Sequence, residues 1–370
     1  MKRKIKNIKY VKIGEQFQKE SKILNKKIIS LLNSGSYVGG KEINLFEKQI
    51  AKKCNTKYAV AMNSGTDALV IAMHLLKIGR GDEVITPPNS FIASTATIVH
   101  LGAKPVFADV LEDMNINPDE IGRKITKNTK AIMPVHLSGR IAEMDEIKKI
   151  AKKKNIAVIE DAAQSVGSLY KNQPSGSLGD IGCFSAHPLK NLNACGDSGY
   201  LTTNNYKIYI KAKSLINHGM ERRNIIKNFG YVSRMDNLQA LILNHRLKNL
   251  DKLILRRRKN AEFYITNLTK EIFIPIEKKY EFNSYHTFVV QTKKRNELKK
   301  YLEFNGIPAL IHYPIPIHLQ PASKFLGYKK GDFPMTEKLS RTMLTLPVNQ
   351  ELKLDELKYI VNTINNYFKR

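Results

Sequence analysis

The chain has 370 residues, of which 42% are hydrophobic and 25% are charged, and its formal net charge is +28. The length is enough to bury a substantial core in one large domain with a smaller one beside it. No apolar run is long enough to span a bilayer, so we expect no membrane partner.

The start of the chain and the cysteines bear on the compartment. Met1–Lys4 is basic, but no apolar segment follows it, so no signal peptide is predicted. Cys54, Cys183 and Cys195 form no C-x-x-C pair. An odd number of widely spaced cysteines fits a reducing compartment and argues against a structural zinc site, so we expect a cytoplasmic protein without a metal.

The lysines are dispersed, and a positive surface would help to attract a substrate that carries phosphate.

Helical and strand patterns alternate along the first half of the chain. The predicted helices cover residues 15–33, 41–53, 92–101, 118–125 and 143–154, with another that opens in the turn at 63–66 and runs to about residue 76. The predicted strands cover residues 58–62, 82–86, 105–109, 129–135 and 157–159. This alternation predicts a mostly parallel sheet covered by helices on both faces. Sites in such sheets gather in loops at the carboxyl ends of the strands.

Two of the connecting segments could meet a ligand. Residues 34–40 form a flexible glycine-containing loop, in which Tyr37 either packs or faces a ligand. The sequence Asn63-Ser64-Gly65-Thr66 joins a strand to a helix. Free backbone N–H groups and the positive end of the helix dipole suit a phosphate there, although Ser-Gly-Thr also makes a plain N-cap.

Glu160 and Asp161 follow the apolar strand at residues 157–159. A carboxylate at such a strand end is costly unless it has a cationic or hydrogen-bonding partner. An aspartate in this place either caps a helix or pairs with a protonated heterocycle. In the second case Gln164, three residues further on, would face the same ligand.

Lys190 lies at the centre of the pattern. Residues 179–192 predict a short apolar strand, a turn forced by Pro188 and this lysine, and the glycines of residues 196–199 let the chain turn tightly afterwards. An amine in a confined, partly desolvated place loses its proton more readily, and the neutral amine attacks carbonyl groups. Most lysines of so basic a chain are solvated surface charges, but the polar stretches that accompany Lys190 favour imine chemistry.

The C-terminal part predicts a smaller α+β domain. One long helix at about 234–266 is expected to bridge to it, followed by a strand at 285–290 and a helix at 295–305. We expect a large domain at 12–250 and a small domain at 251–370. His312 and His318 have no carboxylate or cysteine partner at ligand spacing, so a metal role is not expected for either.

Residues 63–66, 160–164 and 179–190, in this order, resemble the fold-type I enzymes that use pyridoxal phosphate. More closely, the chain resembles the DegT/DnrJ/StrS family of nucleotide-sugar aminotransferases, from the loop at 34–40 to the stretches at 312–321 and 331–334. The resemblance implies an α/β fold with a mostly parallel seven-stranded sheet between helices and a small C-terminal α+β domain. It also implies a homodimer whose active sites are shared between subunits.

The resemblance assigns roles to individual residues. Lys190 matches the lysine that holds the cofactor as an aldimine, and Asp161 matches the acid that pairs with the pyridinium nitrogen. The other cofactor positions match Gly65, Thr66 and Ser185 at the phosphate, Phe91 on the ring face and Gln164 beside the phenolic oxygen. The positions on the substrate side match Tyr37, His312, Tyr313 and His318.

The implied reaction is a ping-pong transamination from L-glutamate to the ketone of a keto-deoxysugar linked to dTDP or UDP. Residues 136–140 and 312–320 are more similar to members that aminate C3. Members with histidine at the lysine position perform dehydration, so Lys190 favours transamination; formation of an aromatic amine is another reaction on the same cofactor. A basic nucleic-acid-binding or regulatory protein is the alternative of another class, but no recognition helix or aromatic–basic platform supports it, so no nucleic-acid partner is expected.

One position departs from the family. Val232 stands where many members carry an asparagine that reaches the cofactor phosphate of the neighbouring subunit. Valine cannot hydrogen-bond through its side chain. The contact is therefore either missing or supplied by a neighbour, with Ser233 and Arg234 as the candidates.

Overall fold

The structure is a computed structural model that describes residues 7–369. The basic start of the chain, Met1–Lys4, on which the expectation about a signal peptide depends, lies outside the described residues. Within residues 7–369, no helix combines the length and the apolar character needed to cross a membrane.

The helices of the first half begin and end close to their predicted bounds. In chain order the α-helices are α1 (Ile13–Asn33), α2 (Lys41–Lys53), α3 (Gly65–Leu75), α4 (Ile92–His100), α5 (Pro118–Lys124), α6 (Met144–Lys154), α7 (Tyr206–Leu215), α8 (Asn237–Leu247), α9 (Leu250–Asn267), α10 (Arg295–Phe304), α11 (Pro334–Thr342) and α12 (Leu354–Phe368). Short 3₁₀ turns lie at Leu137–Gly139, Ile317–Leu319 and Pro321–Leu326.

Local capping explains several of these bounds. The side chain of Asn117 accepts the N–H of Asp119 at 3.1 Å, and Pro118 follows as the first residue of α5, where a missing N–H costs nothing. Asn205 caps α7 in the same way. Helix α6 ends at Asn155, which takes the left-handed conformation that asparagine tolerates.

Residues 7–369 form fourteen strands, of which seven correspond to predicted ones. They are β1 (Tyr58–Met62), β2 (Glu83–Thr86), β3 (Lys104–Phe107), β4 (Thr129–Ile132), β5 (Ala157–Asp161), β6 (Leu169–Tyr170), β7 (Gln173–Pro174), β8 (Ile181–Ser185), β9 (Gly199–Thr203), β10 (Met220–Arg222), β11 (Ile225–Ile226), β12 (Glu281–Phe282), β13 (Phe288–Gln291) and β14 (Met343–Leu346). The strand predicted at 285–290 begins later because Tyr285 has a left-handed backbone, which interrupts an extended chain.

A seven-stranded sheet organises the large part of the molecule. Its strand order is β1-β9-β8-β5-β4-β2-β3, and β9 runs antiparallel to both of its neighbours while the other pairs are parallel. The predicted fold class, a mostly parallel sheet between helices, is confirmed. The sequence pattern did not predict β9, because its first residue, Gly199, also ends the predicted glycine turn and so hides where the strand begins.

Side chains alternate between the two faces of this sheet. In β1, Val60 and Met62 join one hydrophobic core, and Ala59 and Ala61 join the core on the opposite face. This alternation is the period of an extended strand, and burial on both faces requires the helices that cover them. Because β4, β5 and β8 are adjacent and parallel, their carboxyl ends lie side by side at one edge of the sheet.

The prediction of a single helix at 234–266 is wrong. The structure has two helices, α8 and α9, separated at Asn249, whose backbone is not helical and whose N–H donates to the carbonyl of Arg246 at 3.0 Å. Asparagine competes with the helix by favouring caps, and here it starts α9. The apolar residues on both sides of the break keep a helical spacing, so the pattern alone predicted one continuous element.

The C-terminal part has a hydrophobic core of its own. Helices α9, α10 and α12 pack there against the antiparallel pair of β13 and β14. Ile8 also enters this core, and its N–H donates to the carbonyl of Gly306 at 3.0 Å. Strand β12 pairs instead with β6 of the large part. The division at residues 12–250 and 251–370 stays a prediction.

Candidate active site

A cavity of about 450 Å³ lies beyond the carboxyl ends of β4, β5 and β8. Sites of open α/β sheets form in this place. Nine of the residues predicted for the site line the cavity, namely Gly65, Thr66, Phe91, Asp161, Gln164, Ser185, Lys190, His312 and Tyr313. They come from segments that are far apart in the chain, and the sheet topology brings them together.

Lys190 is half-buried at the end of a tight turn that follows β8. Its backbone N–H donates to the carbonyl of His187 at 2.8 Å, which fixes the turn. Within residues 7–369, its Nζ has no hydrogen-bond or ion-pair partner. Burial lowers the pKa of Lys190 to about 8, although the carboxylate of Asp161 opposes the shift. The amine is therefore free to act as a nucleophile or a base near neutral pH.

Asp161 ends β5 and is only 5% exposed. Its Oδ2 accepts the hydroxyl of Ser94 at 2.7 Å, and its Oδ1 accepts the N–H of Ala163 at 3.2 Å. Burial raises the pKa of Asp161, and these two hydrogen bonds and the charge of Lys190 oppose that effect. In the described part of the chain no cation lies within ion-pair distance of this carboxylate. The site therefore offers a buried anion to a ligand that brings a positive charge.

Glu160 points away from the cavity, because neighbouring residues of a strand face opposite sides. Its buried carboxylate accepts three backbone N–H groups, from Gly176, Leu178 and Gly179. It also lies 2.9 Å from Nε2 of His136, and the N–H of Ala142 donates to Nδ1 of the same ring. Nε2 therefore carries the proton, and Glu160 is satisfied without a ligand.

The N-terminus of α3 forms the opposite end of the cavity. Ser64 caps the helix through its Oγ, which accepts the N–H of Asp67 at 3.0 Å. The N–H groups of Gly65 and Thr66 have no partner within the helix, and they lie at its positive end. A Cβ on Gly65 would come within 2.7 Å of the Cβ of Ser185, so glycine lets the Ser185 hydroxyl stand beside these groups. The arrangement suits a phosphate.

Gln164, Tyr313 and Phe91 lie between these two ends. The N–H of Ser138 donates to Oε1 of Gln164 at 2.9 Å, so the amide N–H of Gln164 is turned to the hydroxyl of Tyr313. Burial raises the pKa of Tyr313 to about 12, so the phenol stays protonated. The ring of Phe91 is 56% exposed, with its centroid 6.1 Å from that of Tyr313. An apolar ring left this open can cover the face of a flat ligand.

His312 completes the wall on the side of the C-terminal part. Its Nδ1 lies 3.0 Å from Oγ1 of Thr345, and burial and the charge of Lys190 lower its pKa. Tyr37 does not line the cavity of its own chain: its ring is exposed, and its hydroxyl donates to the carbonyl of Leu32 at 3.2 Å. A substrate contact through Tyr37 stays a prediction that needs a second subunit.

The structure does not bring His318 to the cavity. Its ring is buried, and its Nε2 lies 3.2 Å from Oε1 of Glu337. The rings of His318 and Phe333 pack edge to face, with their centroids 4.7 Å apart. The predicted substrate role of His318 is corrected accordingly, because the ring has no open face toward the site. Nothing in the sequence separated His318 from His312, since both lie in the same proline-rich stretch.

The segment around Val232 shows where the departure from the family lies. Val232 is exposed, so its side chain makes no buried contact in its own subunit. Ser233 donates to Oδ2 of Asp67 at 2.7 Å, and Arg234 donates to Oδ1 of Asn217 at 3.0 Å. Both candidate replacements are thus already bonded within the subunit, and a cross-subunit contact stays a prediction.

Several residues of the cavity were not singled out from the sequence. They include Ser64, Ser94, Asp197, Ser198, His286 and Thr287. His286 was assigned to a strand, yet it lines the cavity, and its Nδ1 is enclosed without a partner among the described residues. Burial and the charges of Lys190 and Arg257 lower the pKa of His286 well below its usual range, so the ring is neutral. A polar residue ahead of an apolar strand was the only available signal.

The donor set fits pyridoxal phosphate. It combines a free amine, a buried carboxylate open to a cation, a helix N-terminus for a phosphate and an exposed aromatic ring. A metal is not part of this set: across residues 7–369, no group of three or more His, Cys, Asp or Glu side chains could hold a metal ion.

Comparison with known proteins extends over nearly the whole chain. The pattern of the DegT/DnrJ/EryC1/StrS aminotransferase family matches residues 18–365. A pleiotropic regulatory protein of Geobacillus stearothermophilus is 35% identical over 98% of this chain and 99% of its own. The dTDP-3-amino-3,6-dideoxy-alpha-D-galactopyranose transaminase of Aneurinibacillus thermoaerophilus is 38% identical over 96% of this chain and 97% of its own. Other relatives are named as aminotransferases of UDP-linked sugars.

Solved structures share the fold and the cofactor. The crystal structure of DesV from S. venezuelae superposes with a TM-score of 0.97 at 33% identity, covering 99% of this chain and all of its own. Other neighbours were solved with pyridoxamine phosphate bound or in a pyridoxal phosphate form.

Proposed function

The chain belongs to the DegT/DnrJ/EryC1/StrS aminotransferase family, and from this premise we propose that it moves an amino group from L-glutamate to the C3 ketone of a nucleotide-linked sugar. The coarser activity, a nucleotide-sugar aminotransferase that uses pyridoxal phosphate, follows from the family and its named relatives. The donor, the carbon and the residue roles are the proposal. The residue roles rest on one observation: among residues 7–369, the amine of Lys190 has no partner, the carboxylate of Asp161 has no cation, and both line one cavity.

In this proposal Lys190 binds the cofactor and then moves protons. The cofactor, when bound, supplies an aldehyde for the amino group and a ring that withdraws electrons. With a pKa of about 8, about a tenth of Lys190 is neutral at pH 7, far more than for a lysine with the ordinary pKa of 10.5. Once released by the amino donor, its Nζ would take the proton from the α-carbon of the donor and deliver it to the former aldehyde carbon of the cofactor. The second substrate passes through the same roles in reverse.

The other residues bind and orient. Asp161 holds the positive charge of the ring nitrogen, for which its buried and unpaired carboxylate is suited. Gln164, whose amide nitrogen faces the cavity, would donate a second N–H to the phenolic oxygen of the cofactor, and Phe91 would cover one face of its ring. The N-terminus of α3 and the hydroxyl of Ser185 bind the phosphate. His312 and Tyr313 contact the sugar.

Family members that carry out dehydration have histidine at the position of Lys190, so the lysine of this chain favours transamination. Lys190 is present, and its pKa is lowered to about 8, so the residue that moves protons in transamination is available.

The three cysteines are free thiols, and we place the protein in the cytoplasm, where such thiols stay reduced.

The names of relatives support C3 as the aminated carbon. One is a transaminase of a dTDP-3-amino sugar, and another acts on a UDP-linked 3-dehydro sugar. With L-glutamate as donor, we expect kcat/KM for a 3-keto sugar nucleotide to exceed that for the 4-keto isomer by about 100-fold, since the wrong ketone leaves buried polar groups unpaired. The measurement is 2-oxoglutarate release together with the mass and NMR spectrum of the product, for dTDP- and UDP-linked substrates.

Two results would overturn this assignment. A preference for the 4-keto isomer would contradict C3 amination, whichever nucleotide is used. A deoxygenated sugar formed without 2-oxoglutarate would instead identify a dehydration and remove the aminotransferase proposal for this chain.

We further propose a homodimer in which each subunit completes the site of the other. Apolar side chains are exposed on α1 and on the loop that follows it, namely Ile23, Ile29, Leu32, Tyr37 and Val38. The loop lies against the segment that contains Val232, because Val38 forms a backbone bridge with Asp236 and Asn237 donates to the carbonyl of Ser36 at 2.8 Å. An exposed apolar surface of this kind fits a second copy of the chain.

A subunit-mixing experiment tests the sharing of sites. We expect Tyr37→Ala and Lys190→Ala each to be strongly impaired, and their randomly mixed dimers to recover about a quarter of the wild-type activity, since half of the dimers then hold one native site. Light scattering should give twice the 42.1 kDa chain mass for both variants. Activity no greater than the mean of the separate variants would show that Tyr37 does not act across subunits.

A further inference from the structure

Ser94 is a buried residue that the sequence pattern did not single out and to which the family resemblance gave no role. It lies in the first turn of α4, lines the cavity and is 1% exposed. Its single hydroxyl proton has two acceptors in reach, Oδ2 of Asp161 at 2.7 Å and the carbonyl of Phe91 at 3.3 Å. The bond to the carboxylate is the shorter one, and a bond to an ionised acceptor is also the stronger.

Ser94 makes the shorter of the two hydrogen bonds to the Asp161 carboxylate. The other donor, the N–H of Ala163, is 3.2 Å away. Without such donors a carboxylate this buried takes up a proton and can no longer pair with a cation.

Other titratable groups also face Asp161. Lys190 and His136 favour its ionised form, and Tyr313 and Cys183 are near enough for Asp161 to raise their own pKa values. Burial and the charge of Asp161 keep Cys183 and Tyr313 protonated and uncharged. The adjacent carboxylate of Glu160 faces the other side of the strand and is bonded to three backbone N–H groups.

We propose that Ser94 is a positioning residue that keeps Asp161 ionised and aimed at the ring nitrogen of the cofactor. The inference rests on the role proposed above for Asp161. It assigns a second task to the start of α4: Phe91, the residue before the helix, covers the ring, and Ser94, one turn later, fixes the carboxylate that holds the ring nitrogen.

The test compares two side chains of equal shape. Ser94→Thr keeps the hydroxyl and Ser94→Val removes it, so any effect of the added methyl group appears in both. Apoenzyme is titrated with pyridoxal phosphate between pH 6 and 9. We expect Ser94→Val to bind the cofactor about 10- to 100-fold more weakly than Ser94→Thr at pH 7. The loss should grow as the pH falls, because removing the donor raises the pKa of Asp161 further.

A cofactor analogue isolates the ring nitrogen from everything else. In 1-deazapyridoxal phosphate a carbon replaces that nitrogen, so the partner of Asp161 is gone. We expect the Thr and Val variants to bind this analogue equally. Ser90→Ala is the matched control, since Ser90 is buried near Ser94 but donates to the carbonyl of Phe91 at 3.0 Å and does not reach Asp161; it should follow the wild type.

Equal pH profiles for Ser94→Thr and Ser94→Val with the natural cofactor would overturn the proposal, as would an equal loss with the deaza analogue. If the larger side chains prevent folding, Ser94→Ala replaces Ser94→Val, and wild type replaces Ser94→Thr. Because the readout is cofactor binding, it is independent of the sugar substrate. Failure of the amino transfer itself would therefore be visible as a separate result.

Discussion

Lys190→Ala is expected to lower kcat by about 10⁴-fold or more and to leave the cofactor removable by dialysis. Lys190 is the only amine that lines the cavity within residues 7–369, and it has no partner there that could replace it. Its removal takes away both the covalent attachment and the group that moves the proton. Turnover is measured as 2-oxoglutarate release, and retained cofactor is measured by absorption after dialysis.

Lys190→Arg is the matched variant for this prediction. It keeps a positive charge at the same position, but a guanidinium does not become neutral in proteins and cannot act as the nucleophile. We expect the arginine variant to be as inactive as the alanine variant while keeping more of the cofactor through its charge. Normal turnover in either variant would sink the assignment of Lys190.

The lowered pKa gives this prediction a pH dependence. Burial disfavours the charged amine, so Lys190 loses its proton near pH 8, well below its ordinary value of 10.5. The rate at which apoenzyme captures pyridoxal phosphate should rise about tenfold per pH unit below pH 8 and level off above it. Stopped-flow absorption measures this rate. A rise that continues toward pH 10 would contradict a desolvated lysine.

Asp161→Asn is expected to lower kcat by about 10³-fold and to weaken cofactor binding. The substitution keeps the size of the side chain, but a neutral amide cannot hold a cation at the ring nitrogen, so the ring withdraws electrons less strongly. Asp180→Asn is the control, because Asp180 also accepts a backbone N–H near a strand end, that of Val158 at 2.8 Å, but does not line the cavity. It should retain wild-type kcat.

The same residue determines how cofactor binding depends on pH in the acidic range. Burial raises the pKa of Asp161, and the carboxylate acts in its ionised form, so binding of pyridoxal phosphate to wild-type apoenzyme should weaken as the pH drops through the raised pKa. Asp161→Asn has nothing to protonate there, and its residual cofactor binding should lose this acid limb. An unchanged limb in the asparagine variant would assign the acidic titration to another group.

Much of the fold could be predicted from the sequence, because hydrophobic periodicity records which faces are buried. The alternation of strands and helices up to residue 161 is enough to predict the fold class. Two of the features that were not predicted show where this signal fails. Strand β9 begins within the glycine turn at 196–199, and its pairing with β1 and β8 is set by the tertiary structure. The break at Asn249 falls where the helical spacing continues unchanged on both sides.

The site was predictable where residue type and local position act together. Lys190, Asp161 and the N-terminus of α3 each had a local signal, and the sheet topology unites them. Ser94 and His286 had no distinctive signal, because a serine in a helix and a histidine ahead of a strand are common in proteins. His318 carried the same local signal as His312, and only the packing against Phe333 separates the two.

The measurement that tests the central claim most directly is the absorption spectrum of the purified protein with pyridoxal phosphate, before and after L-glutamate is added. We predict a yellow band that depends on Lys190, its replacement by the absorption of pyridoxamine phosphate, and release of one 2-oxoglutarate per chain. A band that glutamate leaves unchanged would contradict the proposed donor. No band after incubation with the cofactor would contradict the account as a whole.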